Sequence, residues 1–314
     1  MRGQKQTAWQ IRVASSPEKL MAGKADLWDS GKQQSEESNL IKYKGKALES
    51  AQDCWWQVRV WDTEGNPSAW SNMEYWGMGL LKPSEWNAKW IGAPWQGEEA
   101  RESIEGRPHV PAPLLRKMFR LDKKVVSAKA FVTGLGYFEF YVNGKKVGDD
   151  VLSPNQTNYG KREGLDKTAI PVDDKFRAYR VLYVGYDITS LLNQGENVLG
   201  AIIGNGFYNP VINWTKAYGS PRFIGQLHLT YDDGTREIIG TDETWEARRS
   251  PILLNGVYAG EVYDARKEVV NWANRNDKSW EPVALRKSPE GIMSAQTSPP
   301  DKVMEALPPV TITA

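Results

Sequence analysis

Asn143-Gly144 closes the alternating run Tyr137-Phe138-Glu139-Phe140-Tyr141-Val142, and no other local signal in the chain dictates structure as strongly. Asn-Gly takes up the positive φ angles of a two-residue hairpin turn at little cost, so the dipeptide predicts an antiparallel strand pair. The same period-two alternation recurs at residues 9–13, 56–61, 115–121, 128–133, 182–186, 197–203 and 226–231, the last followed by the turn Asp232-Asp233-Gly234. Short runs at 252–254 and 261–263 extend the series. Alternation of this kind buries one face of a strand and wets the other. Thr189-Ser190-Leu191-Leu192 is the one helical turn expected, and neither an internal repeat nor a heptad pattern is present. The chain therefore reads as all-β, with an incomplete fibronectin-III-like sandwich followed by a larger antiparallel jelly-roll sandwich.

Punctuation divides these strands into domains. Residues 1–79 form the smaller sandwich, whose first strand has nowhere to sit before residue 7. Residues 80–113 read as a connector and loop, because Trp86, Trp90 and Trp95 are set among Pro83, Pro94, Pro108, Pro111 and Pro113. Residues 114–285 form the larger sandwich. Residues 286–314, rich in Pro, Ser and Lys, read as a linker and the start of a truncated next domain.

With 314 residues, two cores of useful size are affordable, and composition then narrows the chemistry. Forty basic against 39 acidic side chains leave a net charge of +1, which gives no global reason to expect nucleic acid or an anionic membrane as partner. The single cysteine, Cys54, precludes an intramolecular disulfide, and with only His109 and His228 a zinc cage cannot be built. Any metal would need oxygen ligands, which points to calcium. Apolar runs such as 198–203 are far too short to span a membrane, and the first residues lack the apolar core of a signal peptide. Gly134-x-Gly136 and Gly204-x-Gly206 do not open helices after parallel strands, so neither reads as a phosphate cradle.

Ala25-Asp26-Leu27-Trp28-Asp29-Ser30-Gly31-Lys32 and Trp55-Trp56-Gln57-Val58-Arg59-Val60-Trp61-Asp62 resemble the fibronectin-III-like module that opens bacterial α-L-rhamnosidases of glycoside hydrolase family 78. Trp86-Asn87-Ala88-Lys89-Trp90-Ile91-Gly92 looks like the same family's junction into its next domain. Gly134-Leu135-Gly136-Tyr137-Phe138-Glu139, Val142–Asp149, Tyr186-Asp187-Ile188-Thr189, Gly204-Asn205-Gly206-Phe207-Tyr208 and Tyr258–Arg266 follow in the order of its N-terminal jelly-roll domain. The resemblance implies that the full-length protein removes terminal α-L-rhamnose with inversion, using carboxylates on a C-terminal (α/α)6 barrel. No such barrel is legible in these residues. The chain is therefore expected to be an accessory N-terminal piece, inactive alone, that scaffolds the absent catalytic domain. The resemblance also suggests periplasmic or extracellular residence. The alternatives are a free-standing carbohydrate-binding module and a protein-interaction adaptor without sugar affinity.

Indole faces stack on the C–H faces of sugars, so the 14 tryptophans raise the prospect of glycan binding. The simpler reading places Trp9, Trp56, Trp61 and Trp70 in the small core and Trp86, Trp90 and Trp95 at the domain junction. Trp214 differs, since it follows an amide- and aromatic-rich strand end. The candidate set for a rhamnose-containing glycan is Asn205, Tyr208, Asn209, Asn213 and Trp214, at the sandwich edge where ligand contacts gather. In some relatives the jelly roll is a calcium-assisted rhamnose-binding module. The oxygen-rich positions that the resemblance offers for that ion are Asp149, Asp150, Asn155 and Asn158, against the alternative that such residues shape turns. Asp187 and Glu261 are assigned structural hydrogen bonds, and Asp264 and Arg266 either pair with each other or bind backbone. His109 and His228 have no legible nucleophile partner.

Overall fold

The computed structural model describes residues 5–99, 110–160, 179–210, 217–274, 279–289 and 291–311. The chain separates into two compact units, residues 1–82 and 83–314. Among the described residues, no helix is long and apolar enough to cross a membrane.

The first unit holds β1 (Ala8–Ala14), α1 (Pro17–Met21), β2 (Trp28–Asp29), β3 (Gln33–Gln34), β4 (Asp53–Trp61) and β5 (Glu74–Gly77). All five strands belong to one antiparallel sheet ordered β2, β1, β4, β5, with β3 also paired to β1. The helix α1 was not expected, although its signals are local: Ser16 caps the Lys19 N–H and Pro17 occupies the first turn. One face of the sheet is closed by stacked cations and indoles. The Arg12 and Arg59 guanidinium groups each lie 4.7 Å from the Trp70 ring centre, and Arg59 and Lys32 cover Trp61 at 4.9 and 4.8 Å. The other face carries Trp9, Ile11, Val13, Trp56, Val58 and Val60, and its fully buried cluster is confined to Val13, Leu27 and Cys54. Trp9 and Trp56, expected in the core, are only half-buried on this open face.

The second unit contains β6 (Ile91–Gly92), β7 (Pro113–Leu121), β8 (Val125–Leu135), β9 (Phe138–Val142), β10 (Lys145–Lys146), β11 (Asp150–Val151), β12 (Arg180–Asp187), β13 (Gly195–Ile203) and β14 (Arg222–Tyr231). It continues with β15 (Arg236–Gly240), β16 (Glu246–Arg249), β17 (Ile252–Gly256), β18 (Gly260–Tyr263), β19 (Glu281–Pro282), β20 (Ala284–Leu285), β21 (Ile292–Ala295) and β22 (Asp301–Lys302). One sheet runs β10, β9, β13, β7, β16, β19; the other runs β20, β6, β14, β8, β12, β21, with β15 on β14. Their facing side chains form the core, which includes Leu115, Phe140, Ile203, Phe223, Leu227 and Trp245. The Asn143-Gly144 turn joins β9 to β10 with φ of 50° and 80°, and Val142 pairs with Lys145, the register a two-residue turn imposes. Arg116 on β7 is fully buried yet retains its charge partners: its Nε lies 3.2 Å from Glu246 and its guanidinium 3.9 Å above Trp280.

The Trp-rich stretch expected as a connector is built into this unit. Ile91 pairs with Phe223 and Leu285, Trp90 is buried with Leu135 and Ile224, and Trp95 packs on the main core. The tail expected as a linker also returns, because β21 lies parallel to β12 and β22 pairs with β11. Gln226 anchors residues 85–88 by accepting from the Asn87 and Ala88 N–H groups and donating to the Glu85 carbonyl.

Beside it, the Gln226 amide lies 2.7 Å from His228 Nε2, and the imidazole meets the Phe131 ring edge-on. The amide nitrogen can only donate, so His228 Nε2 accepts and the ring is neutral. Burial holds the His228 pKa below its ordinary value of 6.5. The associated stabilisation is complete above that value and is lost as pH falls below it. Thermal melts should therefore show the second unit weakening between pH 7 and pH 5, with that slope reduced in His228→Gln.

Candidate functional site

The glycine pairs gain their meaning at one end of the second unit, where the turn after β8 crosses the strand end after β13. Gly136 has φ of +111°, and a Cβ there would lie 2.0 Å from the Gly204 carbonyl oxygen. Gly206, at φ +49°, would place a Cβ 2.8 Å from the Gly136 carbonyl carbon. Two backbones thus touch where side chains would keep them apart, and the Gly204 N–H donates to the Tyr137 carbonyl at 2.7 Å.

Asn205 ties this crossing to the β17–β18 hairpin. Its backbone N–H donates to Asn255 Oδ1 at 2.6 Å and its Nδ2 donates to the Asn255 carbonyl at 2.9 Å. Asn209 Nδ2 donates to Asn205 Oδ1 at 3.0 Å, and the Asn209 N–H donates to the Asn205 carbonyl at the same distance. Both amides are buried and engaged in building the loop. Tyr208 is buried as well, among Tyr159, Tyr218 and the Arg222 guanidinium. Burial raises its pKa, and Arg222 opposes that shift. Asn213 and Trp214 lie outside the described residues. The structure therefore brings Asn205, Tyr208 and Asn209 together as loop architecture, and sequence reasoning missed Asn255, whose amide completes it. The only local sign was Asn255-Gly256 before a turn.

Around this loop opens a cleft of about 580 Å³, lined by Tyr137, Glu139, Leu152, Asn255, Val257 and Glu261 among others. Glu139 accepts from the Tyr141 hydroxyl at 2.6 Å and from Lys146 Nζ at 2.9 Å, so its charge is balanced. Tyr141 is pushed well above the usual phenol range by burial and by that carboxylate. Burial also raises Tyr137. Phe207 bridges Tyr137 and Tyr258 edge-on, at 6.4 and 5.8 Å. The β17–β18 hairpin forms its own two-stranded sheet. Its residues Val257, Tyr258, Val262 and Tyr263 are 42–57% exposed, with Val262 and Tyr263 on opposite faces of the hairpin. A second hollow of about 210 Å³ flanks it, lined by Leu114, Ile202, Tyr263, Val270 and Trp272.

Two of the residues assigned structural roles, Asp187 and Asp264, make side-chain hydrogen bonds. Asp187 Oδ1 accepts from the Thr189 N–H at 2.9 Å, which begins the expected Thr189–Leu191 turn. Asp264 receives Arg266 through two side-chain bonds of 2.8 and 3.0 Å. Glu261 stands exposed opposite Asn255.

The proposed calcium ligands do not fit a cage. Lys302 Nζ sits 2.8 Å from Asp149 and holds its carboxyl below the usual range, so an ammonium already occupies a cation's place. Asp150 is buried and accepts from the Tyr186 hydroxyl at 2.7 Å. Asn155 donates to Ser298 Oγ at 3.0 Å, and Asn158 is half-buried nearby in sequence. Calcium wants six to eight oxygens around one point. Among the described residues, no group of three or more His, Cys, Asp or Glu could hold a metal ion.

Comparison with known proteins places the whole chain. Residues 123–305 match the family model described as the Alpha-L-rhamnosidase N-terminal domain, and residues 1–82 match that of the Rha78A-like N-terminal immunoglobulin domain. The chain is 40% identical to an α-L-rhamnosidase of Formosa agariphila over 99% of its own length and 33% of the relative's. Against an α-L-rhamnosidase of an Alteromonas species it is 35% identical, over 92% of this chain and 30% of that one. Among solved structures it resembles the α-L-rhamnosidase of Dictyoglumus thermophilum, with a TM-score of 0.79 and 35% identity over 98% of this chain and 33% of that one. The Streptomyces avermitilis α-L-rhamnosidase complexed with L-rhamnose also matches at a TM-score of 0.79, with 25% identity over 96% of this chain and 44% of that one. The chain spans about a third of the length of the curated relatives named here.

Proposed function

The chain belongs to the α-L-rhamnosidase N-terminal domain family, and from that premise we propose that it is the accessory part of an enzyme that hydrolyses terminal α-L-rhamnose from glycans or glycosides. Its work is to seat the catalytic portion of the same polypeptide. The β17–β18 hairpin carries this reading: Val257 and Tyr258 in its turn and Val262 and Tyr263 on β18 are exposed apolar or aromatic side chains on a two-stranded sheet separate from the two main sheets. Val303, Met304 and Leu307, downstream of β22, add exposed apolar surface to the same unit. Surfaces of this character mark contacts with other protein more often than with solvent. Glu139 in the cleft is poorly suited to glycoside hydrolysis, because Lys146 neutralises it and the Tyr141 hydroxyl donates to it.

The purified chain should leave an aryl α-L-rhamnoside uncleaved, while the polypeptide extended C-terminally through its reading frame cleaves it. Turnover by the chain alone, or a frame that stops directly after residue 314, overturns the reading. In the extended protein, the pair Tyr258→Asp and Val262→Asp should weaken seating and lower turnover by at least about tenfold, the scale of losing a buried apolar contact.

A second reading is that this unit also holds a rhamnose-containing glycan. The cleft supports it, since an apolar wall meets Tyr137, Asn255 and Glu261 in a volume that accommodates a sugar ring. Calorimetric titration with L-rhamnose should then give binding that Tyr137→Ala removes; calcium dependence is not expected from the described ligands.

A further inference from the structure

We propose that the face of the first unit's sheet that carries the stacked cations and indoles binds an acidic glycan, with Arg59 and Lys32 receiving its uronic-acid carboxylates. This goes beyond the functional reading above and does not depend on it.

Strand register defines the face. Residues directly opposite in an antiparallel pair share a side of the sheet, as do residues two apart along a strand. Arg12 stands opposite Gln57, Ala14 opposite Trp55, and Trp55 opposite Tyr75, so Arg12, Trp55, Arg59, Trp61 and Tyr75 all project from one side. Trp70 and Lys32 join them from the loops, Trp70 against both guanidinium groups and Lys32 against Trp61.

Positive charge on this face is not matched. Arg12 pairs with Asp29 at 2.9 Å. Arg59 instead donates from Nε and from one terminal nitrogen to Gln10 Oε1, at 3.0 and 2.7 Å, and that acceptor is uncharged. Among the described residues, neither Arg59 nor Lys32 has a carboxylate within ion-pair distance.

Arg59 is also held in one orientation. The Trp70 and Trp61 rings lie against its guanidinium at 4.7 and 4.9 Å, and Gln10, which fixes the Nε edge, is buried and donates in turn to Asp29 at 2.6 Å. The remaining N–H groups of the fork are left for an acceptor from outside. A planar fork fixed in this way loses little freedom when a carboxylate docks on it.

Aromatic surface beside the charge selects a sugar as the carrier of that carboxylate. Trp55 and Tyr75 lie with ring centres 5.2 Å apart, and Tyr75 is 50% exposed, so an apolar platform for the C–H face of a sugar ring shares the side on which Arg59 stands. Duplex DNA is gripped through many phosphates and anionic membranes through dense basic clusters, whereas this face has three stacked cations, one of them already paired. A glycan in which acidic and neutral sugars alternate offers both kinds of contact at that density.

Calorimetric titration of the whole chain tests this with an oligogalacturonate, against neutral dextran, dextran sulfate, a DNA duplex and phosphatidylserine vesicles. The oligogalacturonate should bind, more weakly as salt is added, and dextran should not. Arg59→Gln should weaken binding by at least about tenfold, the scale of a charge-assisted hydrogen bond, and Arg59→Lys, which keeps the charge without the fork, should recover only part of it. Lys32→Gln, at an exposed position, should cost about threefold with the melting curve unchanged, which keeps the test decisive if Arg59→Gln loosens the stack. Tyr75→Ala should weaken binding as well. Absence of oligogalacturonate binding overturns the proposal, as does affinity unchanged in both Arg59→Gln and Lys32→Gln. Binding of dextran sulfate, DNA or vesicles without binding of the oligogalacturonate overturns it too, and makes the ligand a different polyanion. Rhamnoside turnover by the C-terminally extended protein and L-rhamnose titration of the cleft are separate measurements, so failure here leaves the functional reading standing.

Discussion

Gly136→Ala is expected to unfold the second unit or to destabilise it by more than about 4 kcal/mol, at the extreme of single substitutions. Two costs coincide at that position. The φ of +111° is one that residues with a Cβ rarely adopt, and the added carbon would lie 2.0 Å from the Gly204 carbonyl oxygen. That obstacle is backbone, held in place by the Gly204 bond to Tyr137 and by Asn205 against Asn255, so it cannot swing aside as a side chain would. Gly260→Ala separates the two costs. Gly260 has φ of +75° with nothing within 4 Å of a Cβ, and its replacement should cost only about 1–2 kcal/mol of backbone strain. Urea denaturation followed by circular dichroism distinguishes them. Similar losses for both variants would show that the crossing of the two backbones is not tight.

Trp245→Ala should remove about 3–5 kcal/mol from the same unit. Trp245 is 2% exposed, packs against Phe223 with ring centres 6.0 Å apart, and donates its indole N–H to the Gly240 carbonyl. Removing it leaves a cavity between the two sheets and an unmet carbonyl. Trp245→Phe keeps most of the volume and should lose less than half as much. Chemical denaturation of the three proteins checks the order, and a cost below about 1 kcal/mol for the alanine variant would mean that the core collapses around the gap.

Local order explains what could be read from the residues alone. Asn143-Gly144 specified its hairpin because every determinant lies within four residues, and the alternating runs at β4, β9 and β14 carried their own faces. The glycine pairs were legible as unusual backbone but not as a crossing, because Gly136 and Gly204 meet from strands far apart in the chain. Asn205 and Asn209 suggested a ligand because amides at a strand end suit either a sugar or a loop; only the position of Asn255 decides what their bonds are used for. The stretch with Trp86, Trp90 and Trp95 looked like a connector because proline spacing dominates its pattern. Long-range neighbours bury Trp90, through Leu135 and Ile224, and half-bury Trp86, which meets Tyr183. Asp149 suggested calcium for a similar reason, since its partner Lys302 comes from the returning tail.

The return of that tail has a consequence for biosynthesis. Strand β6 is paired with β20, and β12 takes β21 as a parallel neighbour, so both ends of the seven-stranded sheet are closed by its two latest strands. Parallel and long-range pairings form only after their distant ends meet. During vectorial synthesis the sheet lacks two of its strands until residue 295 has cleared the ribosome. The second unit must therefore wait, with its β12 edge uncapped, for a stretch rich in proline and serine to emerge and lock it. A nascent chain stalled near residue 280 should be open to protease where one stalled well beyond residue 302 is not.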